Sequence, residues 1–277
     1  MIPPPQKAAQ IPRSLLLLGI PFHDVTMAET LDAVGRFVKE RRPAYLATAN
    51  LDFATQASKD SELHQILLEA DLVLCDGTPI RWLSHLTGRP LREKVSGSDL
   101  IPKLATRAAA EGWRLFLLGG DPDSLDRAEK KLTGDNPGLI IAGSYSPPFA
   151  PLDQMDHEEI SGRIKEASPD LLLVAFGCPK QEKWIHRHYR DLGVPCSIGI
   201  GATIDFLAGK VMRAPGWISA LGLEWVIRLI QEPRRLGRRY LEDFIFLLTQ
   251  TYADRNTLLR DRKKNLCVKS VINTEMP

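Results

Sequence analysis

Leu171-Leu172-Leu173-Val174-Ala175-Phe176-Gly177-Cys178-Pro179-Lys180-Gln181-Glu182 is the stretch that decides the fold. Its first six residues are apolar without alternation, the pattern of a strand covered on both faces. Gly177 then turns the chain, and Pro179 precedes a helical pattern over Lys180–Tyr189, where proline suits the first turn. The same unit recurs outward in both directions. Apolar runs at Leu15–Ile20, Tyr45–Thr48, Leu72–Cys75, Leu115–Leu118, Leu139–Ala142 and Ser197–Ile200 alternate with amphipathic stretches. Helix starts are signalled by Thr26 before Met27–Val38, Asp60-Ser61 before Glu62–Ala70, and Thr78-Pro79 before Ile80–Leu86. Ser98 before Asp99–Glu111 and Asp121-Pro122 before Asp123–Leu132 complete the set. Such alternation predicts an α/β fold, a mostly parallel, Rossmann-like sheet with helices on both faces.

At 277 residues, 44% hydrophobic and 25% charged, the chain has globular composition, which excludes disordered, collagen-like and low-complexity classes. A chain this long buries a core without disulfides or metal. Its four cysteines form no CxxC pair, which argues against a zinc knuckle or disulfide framework and fits a reducing compartment. A net charge of +2 is too small for a general nucleic-acid binder. The apolar run Ser14–Ile20 after Arg13 lacks a small-x-small site and reads as a first strand, not a signal peptide. No stretch approaches the roughly 18 apolar residues that span a bilayer. From Gly209 to Tyr240 seven basic residues face two acidic ones, interleaved with Trp217, Trp225 and aliphatic residues. The expected organisation is a flexible start at 1–13, an α/β catalytic core at 14–208, a basic helical region at 209–250 and a flexible tail at 251–277.

In a parallel sheet, ligands collect at the carboxyl ends of the strands. Polar motifs follow the strands here: Thr48-Ala49-Asn50, Asp76-Gly77, Gly119-Gly120-Asp121, Gly177–Glu182, and Gly199 to Asp205. Asp76 is the most informative residue. Thr78-Pro79 already offers a cap and a first-turn residue, which leaves Asp76 as a carboxylate suited to general-base work. Asp121-x-Asp123 reads either as a metal-holding pair or as a helix cap with a dipole-complementing acid, the second being favoured. Gly119 and Gly120 leave room for backbone N–H groups to face a phosphate. Lys180 and Gln181, at a helix start, suit a diphosphate or a uracil edge, while Glu182 and Lys183 read as solvated helix residues and Trp184 as packed inward. Gly199-x-Gly201-x-x-Ile204 lacks the third glycine of a dinucleotide fingerprint. His186 and His188, two apart on a helix, read as surface residues rather than a metal pair. Arg234, Arg235, Arg238 and Arg239, with Trp217, Trp225 and Tyr240, suit an anionic membrane surface or a lipid diphosphate.

Taken in order, these motifs resemble the WecG/TagA/CpsF glycosyltransferases from about Leu15 to about Arg239. The resemblance rests on Thr48-x-Asn50, Ala70-Asp71-Leu72-Val73-x-x-Asp76-Gly77, Val95-Ser96-Gly97-Ser98-Asp99-Leu100 and Phe116-Leu117-Leu118-Gly119-Gly120. It continues through Pro169-Asp170-Leu171, Gly177-Cys178-Pro179-Lys180-Gln181-Glu182 and Asp205-x-x-Ala208-Gly209-x-x-x-Arg213-Ala214-Pro215-x-Trp217. Glu224-Trp225-x-x-Arg228-Leu229-x-x-Glu232-Pro233-Arg234-Arg235 completes it. It implies an inverting enzyme that moves a sugar from a UDP donor to a polyprenyl-diphosphate-linked sugar in bacterial surface polysaccharide synthesis. No cofactor or bound metal is implied.

By that resemblance Asp76 is expected as the catalytic base with Thr48 beside it, and Asn50 and Gln181 as substrate contacts. Lys94, Gly119, Gly120, Gly177, Lys180, Glu182, Asp205 and Arg213 join them as substrate-binding candidates. Arg228, Arg234, Arg235, Arg238 and Arg239 would meet the membrane or the acceptor diphosphate, in a C-terminal region that closes the site. The expected location is the inner face of the cytoplasmic membrane, reached peripherally, with self-association open. Two positions depart from the family pattern. Lys94 replaces a common Arg, turning a bidentate clamp into a point charge, and Gly201-Ala202 replaces a common Gly-Gly. Rival readings are an NAD-dependent oxidoreductase, a non-catalytic nucleotide-sugar-binding regulatory protein, and a metal-dependent transferase through Asp121 and Asp123.

Overall fold

The structure is a computed structural model that describes residues 12–212, 218, 223–234 and 236–250. Six parallel strands form the central sheet: β3 (Ala44–Ala49), β4 (Leu72–Cys75), β5 (Arg114–Gly119), β6 (Ile140–Tyr145), β7 (Leu171–Ala175) and β8 (Cys196–Gly199). Their order is β4-β3-β8-β7-β5-β6. β3, β4 and β8 are buried at every position because both faces are covered, although β4 stands at one end of the order. The edge strand β6 is half-exposed.

The expected first strand, Leu15–Ile20, holds as far as Leu17: a turn at Leu18-Gly19 separates β1 (Ser14–Leu17) from β2 (Ile20–His23), and the two pair antiparallel outside the main sheet. Leu18 and Gly19 take φ values of 51° and 80°, and Gly19 supplies the left-handed freedom that reverses the chain. The hairpin also blunts the edge of β4, where the Val73 N–H donates to His23 Nδ1 at 2.9 Å.

Helices α1 (Met27–Glu40), α2 (Leu51–Ala57), α3 (Ser61–Glu69), α4 (Thr78–Leu86) and α5 (Gly97–Glu111) connect the first strands. Later come α6 (Pro122–Asp135), α7 (His157–Ala167), α8 (Lys180–His188), α9 (Thr203–Leu207) and α10 (Glu224–Gln231). Thr26 closes a capping box with Glu29 on α1, and Asp60 and Asp121 cap α3 and α6. The cap of α5 is Ser96 rather than the expected Ser98, so the helix starts one turn's fraction earlier, at Gly97. One face of the sheet packs α1, α5 and α6 through Val34, Leu100, Leu104, Leu117, Leu173 and Ile198.

The chain divides into two compact units at Ile227 and Arg228. In the second, residues 236–250 are helical.

Candidate active site

All six strands point the same way, so their carboxyl ends share one rim. The chain order reverses where β3 meets β8, the kind of position at which open α/β sheets bind their ligands. Past β4, the Asp76 N–H donates to Ala49 O at 2.9 Å and extends the β3–β4 pairing, which delivers the half-buried Asp76 to the rim. Asp76 does not cap α4. Thr78, expected as its cap, is the first helical residue. The cap is Gly77, at φ 131°, with no side-chain cap bond and Pro79 in the first turn. A Cβ on Gly77 would lie 3.6 Å from Asn50 Cβ, so the ends of β3 and β4 stand side by side.

Asn50 Oδ1 accepts from the Phe53 N–H at 3.3 Å and caps α2, a helix the sequence reading missed. Thr48 is buried and donates to Gly199 O at 2.9 Å, tying β3 to β8. A Cβ on Gly97 would meet Thr203 Oγ1 at 2.9 Å and Thr48 Oγ1 at 3.7 Å, so only glycine lets α5 start against these hydroxyls. Lys94 Nζ lies 3.1 Å from Glu224 and 3.9 Å from Asp99. Burial works against its charge, but Glu224, Asp99 and Asp76 outweigh it and hold the ammonium above its ordinary pKa.

The Asp121–Asp123 pair is already engaged. Asp121 caps α6 by accepting from Ser124 N at 3.1 Å, and Lys210 Nζ lies 2.7 Å from Asp121 and 3.1 Å from Asp123. Lys210, then Ser124, holds the Asp121 carboxyl well below the carboxylate range, and Lys210, then Arg127, lowers Asp123. The Ser124 hydroxyl sits between Asp121, at 2.6 Å, and Asp205, at 2.9 Å, which moors α9 to α6. A divalent cation here has to displace Lys210. Among the described residues, no group of three or more His, Cys, Asp or Glu is arranged to hold a metal.

Gly119 and Gly120 have φ values of 96° and 77°. A Cβ on Gly119 would reach Ala175 O at 2.9 Å, and one on Gly120 would reach Ile204 at 2.8 Å. The Gly120 N–H donates to Ala175 O at 3.2 Å, so it is engaged within the fold rather than offered to a phosphate.

The Gly177–Glu182 segment departs most from its sequence reading. Glu182, expected on a solvated helix face, is 2% exposed, and Gln181 is 1% exposed. Gln181 Oε1 accepts from the N–H groups of Gly177 and Gly201 at 3.1 and 3.0 Å, and Gln181 Nε2 donates to Glu182 Oε1 at 2.7 Å. Burial pushes the Glu182 carboxyl up to about 7, against the lowering by Gln181 and Cys178, with nearby Asp52 adding to the rise. Lys180 donates to Ala150 O at 2.6 Å and lies over the Phe176 ring at 5.1 Å, where burial lowers its pKa. Trp184 is fully buried, as its position suggested.

His186 pairs with Glu69 at 2.8 Å. His188 is half-buried rather than on the surface. It stacks on Trp184 at 4.8 Å, and burial lowers it to about 4. Arg213 and Arg235 lie outside the described residues. Arg234 and Arg238 are exposed, Arg238 bridging to Glu242 at 3.0 Å, while Arg228 and Arg239 are half-buried. Thr203 and Glu224 entered the sequence reading only within longer motifs, not as site residues. Thr203 follows the Gly201 turn, a visible signal, whereas nothing local pairs Glu224 with Lys94.

Fold and rim together define the class: a doubly wound α/β enzyme whose polar groups gather where the strand order reverses. The Glycosyl transferase WecG/TagA/CpsF family model matches residues 15–260, and the chain belongs to that family. It is 31% identical to the N-acetylglucosaminyldiphosphoundecaprenol N-acetyl-beta-D-mannosaminyltransferase of Bacillus subtilis (strain 168), over 79% of this chain and 84% of that one. The enzymes of the same name from Bacillus spizizenii (strain ATCC 23059 / NRRL B-14472 / W23) and Staphylococcus aureus (strain MW2) are 30% and 26% identical. Those matches span 73% and 80% of this chain and 77% and 86% of the relatives.

Proposed function

We propose that this glycosyltransferase moves a hexosyl group from a UDP-sugar to a polyprenyl-diphosphate-linked sugar, with inversion at the anomeric carbon. The relatives' names specify transfer of N-acetylmannosamine to N-acetylglucosaminyl-diphospho-undecaprenol, and the same class of acceptor is proposed for this chain. One observation carries the residue assignment: Asp76 leaves β4 at the rim without serving as the cap of α4, beside Asn50 and within the field of Lys94.

In this reading Asp76 takes the proton from the acceptor hydroxyl as its oxygen attacks the anomeric carbon. The bond from that carbon to the UDP oxygen breaks on the opposite face, and UDP departs with the electron pair. Lys94, the N-terminus of α8 and Arg213 are the groups proposed to meet the diphosphate charge. Thr48, Asn50 and Gln181 shape the donor cleft, and the reaction is proposed to need no bound metal.

The acceptor is lipid-linked in this proposal, so the enzyme works at the inner face of the cytoplasmic membrane. No helix among the described residues is long and apolar enough to cross a membrane. A peripheral attachment through residues 228–250 is therefore proposed.

The test uses purified protein, a lipid-diphosphate-linked sugar and a panel of UDP-sugars, scored by UDP release. Asp76→Asn is expected to cut turnover by about 10²–10⁴-fold, the usual contribution of a general base, while UDP binding and thermal unfolding stay unchanged. Near-normal turnover in that variant refutes the assignment.

A further inference from the structure

We infer that Glu182 is a positioning residue for the donor cleft: as an acceptor beneath the rim, it fixes the Gln181 amide in the one flip that ties the loops after β7 and β8 together. The inference rests on the proposed donor cleft for its kinetic consequence, but not for the lock itself.

The geometry has three parts. Gln181 Oε1 accepts from both Gly177 N and Gly201 N, at 3.1 and 3.0 Å, so one oxygen holds the first turn after β7 and the turn after β8. Gln181 Nε2 donates to Glu182 Oε1 at 2.7 Å. The strand between them makes room for the pair: a Cβ on Gly199 would fall 2.7 Å from Gln181 Nε2 and 2.8 Å from Glu182 Oε1. Glycine stands there because the two side chains occupy the space.

A glutamine amide has two flips that fill nearly the same volume. Rotating Gln181 by half a turn would aim its NH₂ at two backbone N–H donors and its carbonyl at a carboxyl acceptor. Three hydrogen bonds would become three like-with-like contacts in a site that water does not reach. An acceptor at position 182 therefore selects the flip. An apolar side chain there would leave Nε2 unpartnered and remove part of that selection. Adjacent residues on a helix point about 100° apart, so burying both Gln181 and Glu182 is unusual at a helix start and calls for a reason.

The groups acting on Glu182 include Gln181, its own backbone N–H, the Cys178 thiol from the turn before α8, and Asp52 of α2, whose own Oδ2 accepts from Gln56 at 2.6 Å. Among the described residues Glu182 Oε2 has no hydrogen-bond partner, while Oε1 accepts from Gln181.

The test is a swap. Gln181→Glu alone places two carboxyls in contact and is expected to be the weakest variant. Adding Glu182→Gln restores an acceptor oxygen for both glycine amides and a donor to orient it. Donor KM and amide-exchange protection at Gly177 and Gly201 should therefore recover most of the way to wild type. Glu182→Gln alone keeps an acceptor oxygen and should move donor KM and exchange at Gly177 and Gly201 little. Glu182→Met should raise donor KM and the UDP Kd by about tenfold, with kcat nearly unchanged and exchange at Gly177 and Gly201 accelerated.

A purely structural role predicts lower thermal stability with normal donor KM at 25 °C, and that result would overturn the inference. So would a double variant no better than Gln181→Glu. Should Glu182→Met fail to fold, the swap pair decides alone. Should the wild type bind no UDP, the functional reading fails, and the lock is then judged on exchange at Gly177 and Gly201 and its recovery in the swap.

Discussion

Two acidic residues at the same rim have opposite surroundings, and that difference assigns their work. Asp76 reaches the rim half-exposed, where the proposed acceptor can approach it. Glu182 lies fully buried with its carboxyl raised to about 7. A raised carboxyl favours the folded state where it is protonated, below the unfolded value near 4.5, and that advantage is lost as pH climbs to about 7. Thermal unfolding from pH 4.5 to 8 is therefore expected to show Glu182→Gln gaining on the wild type as pH rises, with the difference level above about 7. A pH-independent difference would mean that Glu182 is charged in both states. Asp121 is the contrasting surface case. Asp121→Asn keeps an oxygen to cap α6 and loses the exposed ion pair with Lys210 and one acceptor for the Ser124 hydroxyl, which Asp205 still accepts from. Turnover should be unchanged in that variant and insensitive to EDTA in the wild type. A loss in either measurement would restore Asp121 and Asp123 as a metal pair.

Elements with strong local signals were legible in the sequence, and elements set by distant partners were not. The six strands of the main sheet stand within a few residues of their apolar runs, because burial on both faces, in all but the half-exposed β6, leaves no other pattern. Asp121-Pro122 gave the start of α6 to the residue, since cap and first-turn proline both act locally. Leu15–Ile20 misled because its hydrophobicity says nothing of direction: the reversal rests on Leu18 and Gly19 at positive φ. The short helix α2 was missed because Asn50 was read as a ligand contact and not also as a cap. Both roles fit one side chain. Oδ1 caps Phe53 N, and Nδ2 donates to no described residue. Asn50→Asp keeps the capping oxygen and deletes only that donor. The expected outcome is a melting temperature within a degree or two, as Asp and Asn cap about equally, with donor KM raised about tenfold by the lost hydrogen bond. Unchanged kinetics would leave Asn50 as a cap alone. At the site itself, the strand-end motifs placed Asp76 and Asn50 on the loops after β4 and β3, and Gln181 at the start of the helix after β7. They did not tell that Gln181 and Glu182 turn inward, because Gly199, which vacates the space, lies on another strand.

For the whole molecule, the proposed membrane attachment turns on which force dominates. Within residues 236–250, Leu241, Phe244, Ile245 and Leu248 are exposed at positions i, i+3, i+4 and i+7, a single stripe, while Leu236, Asp243 and Phe246 are buried. Arg234 and Arg238 stand exposed nearby in sequence. Full burial of one large apolar side chain contributes roughly 1.5–3 kcal/mol. A basic residue near an anionic leaflet contributes about 1 kcal/mol and is screened by salt. Four apolar side chains thus outweigh two arginines, and attachment should depend more on the stripe than on charge. Leu241→Glu with Ile245→Glu is expected to abolish co-sedimentation with phosphatidylglycerol-containing vesicles at every salt concentration. Arg234→Gln with Arg238→Gln should weaken binding only modestly and flatten its salt dependence. Both pairs should retain turnover on a short-chain, water-dispersed acceptor, while the stripe variant loses turnover on acceptor embedded in vesicles. Vesicle binding that survives the two glutamates but disappears with the arginines would reverse the ranking and make attachment electrostatic. Loss of turnover on the dispersed acceptor as well would move these residues from membrane attachment to the reaction itself.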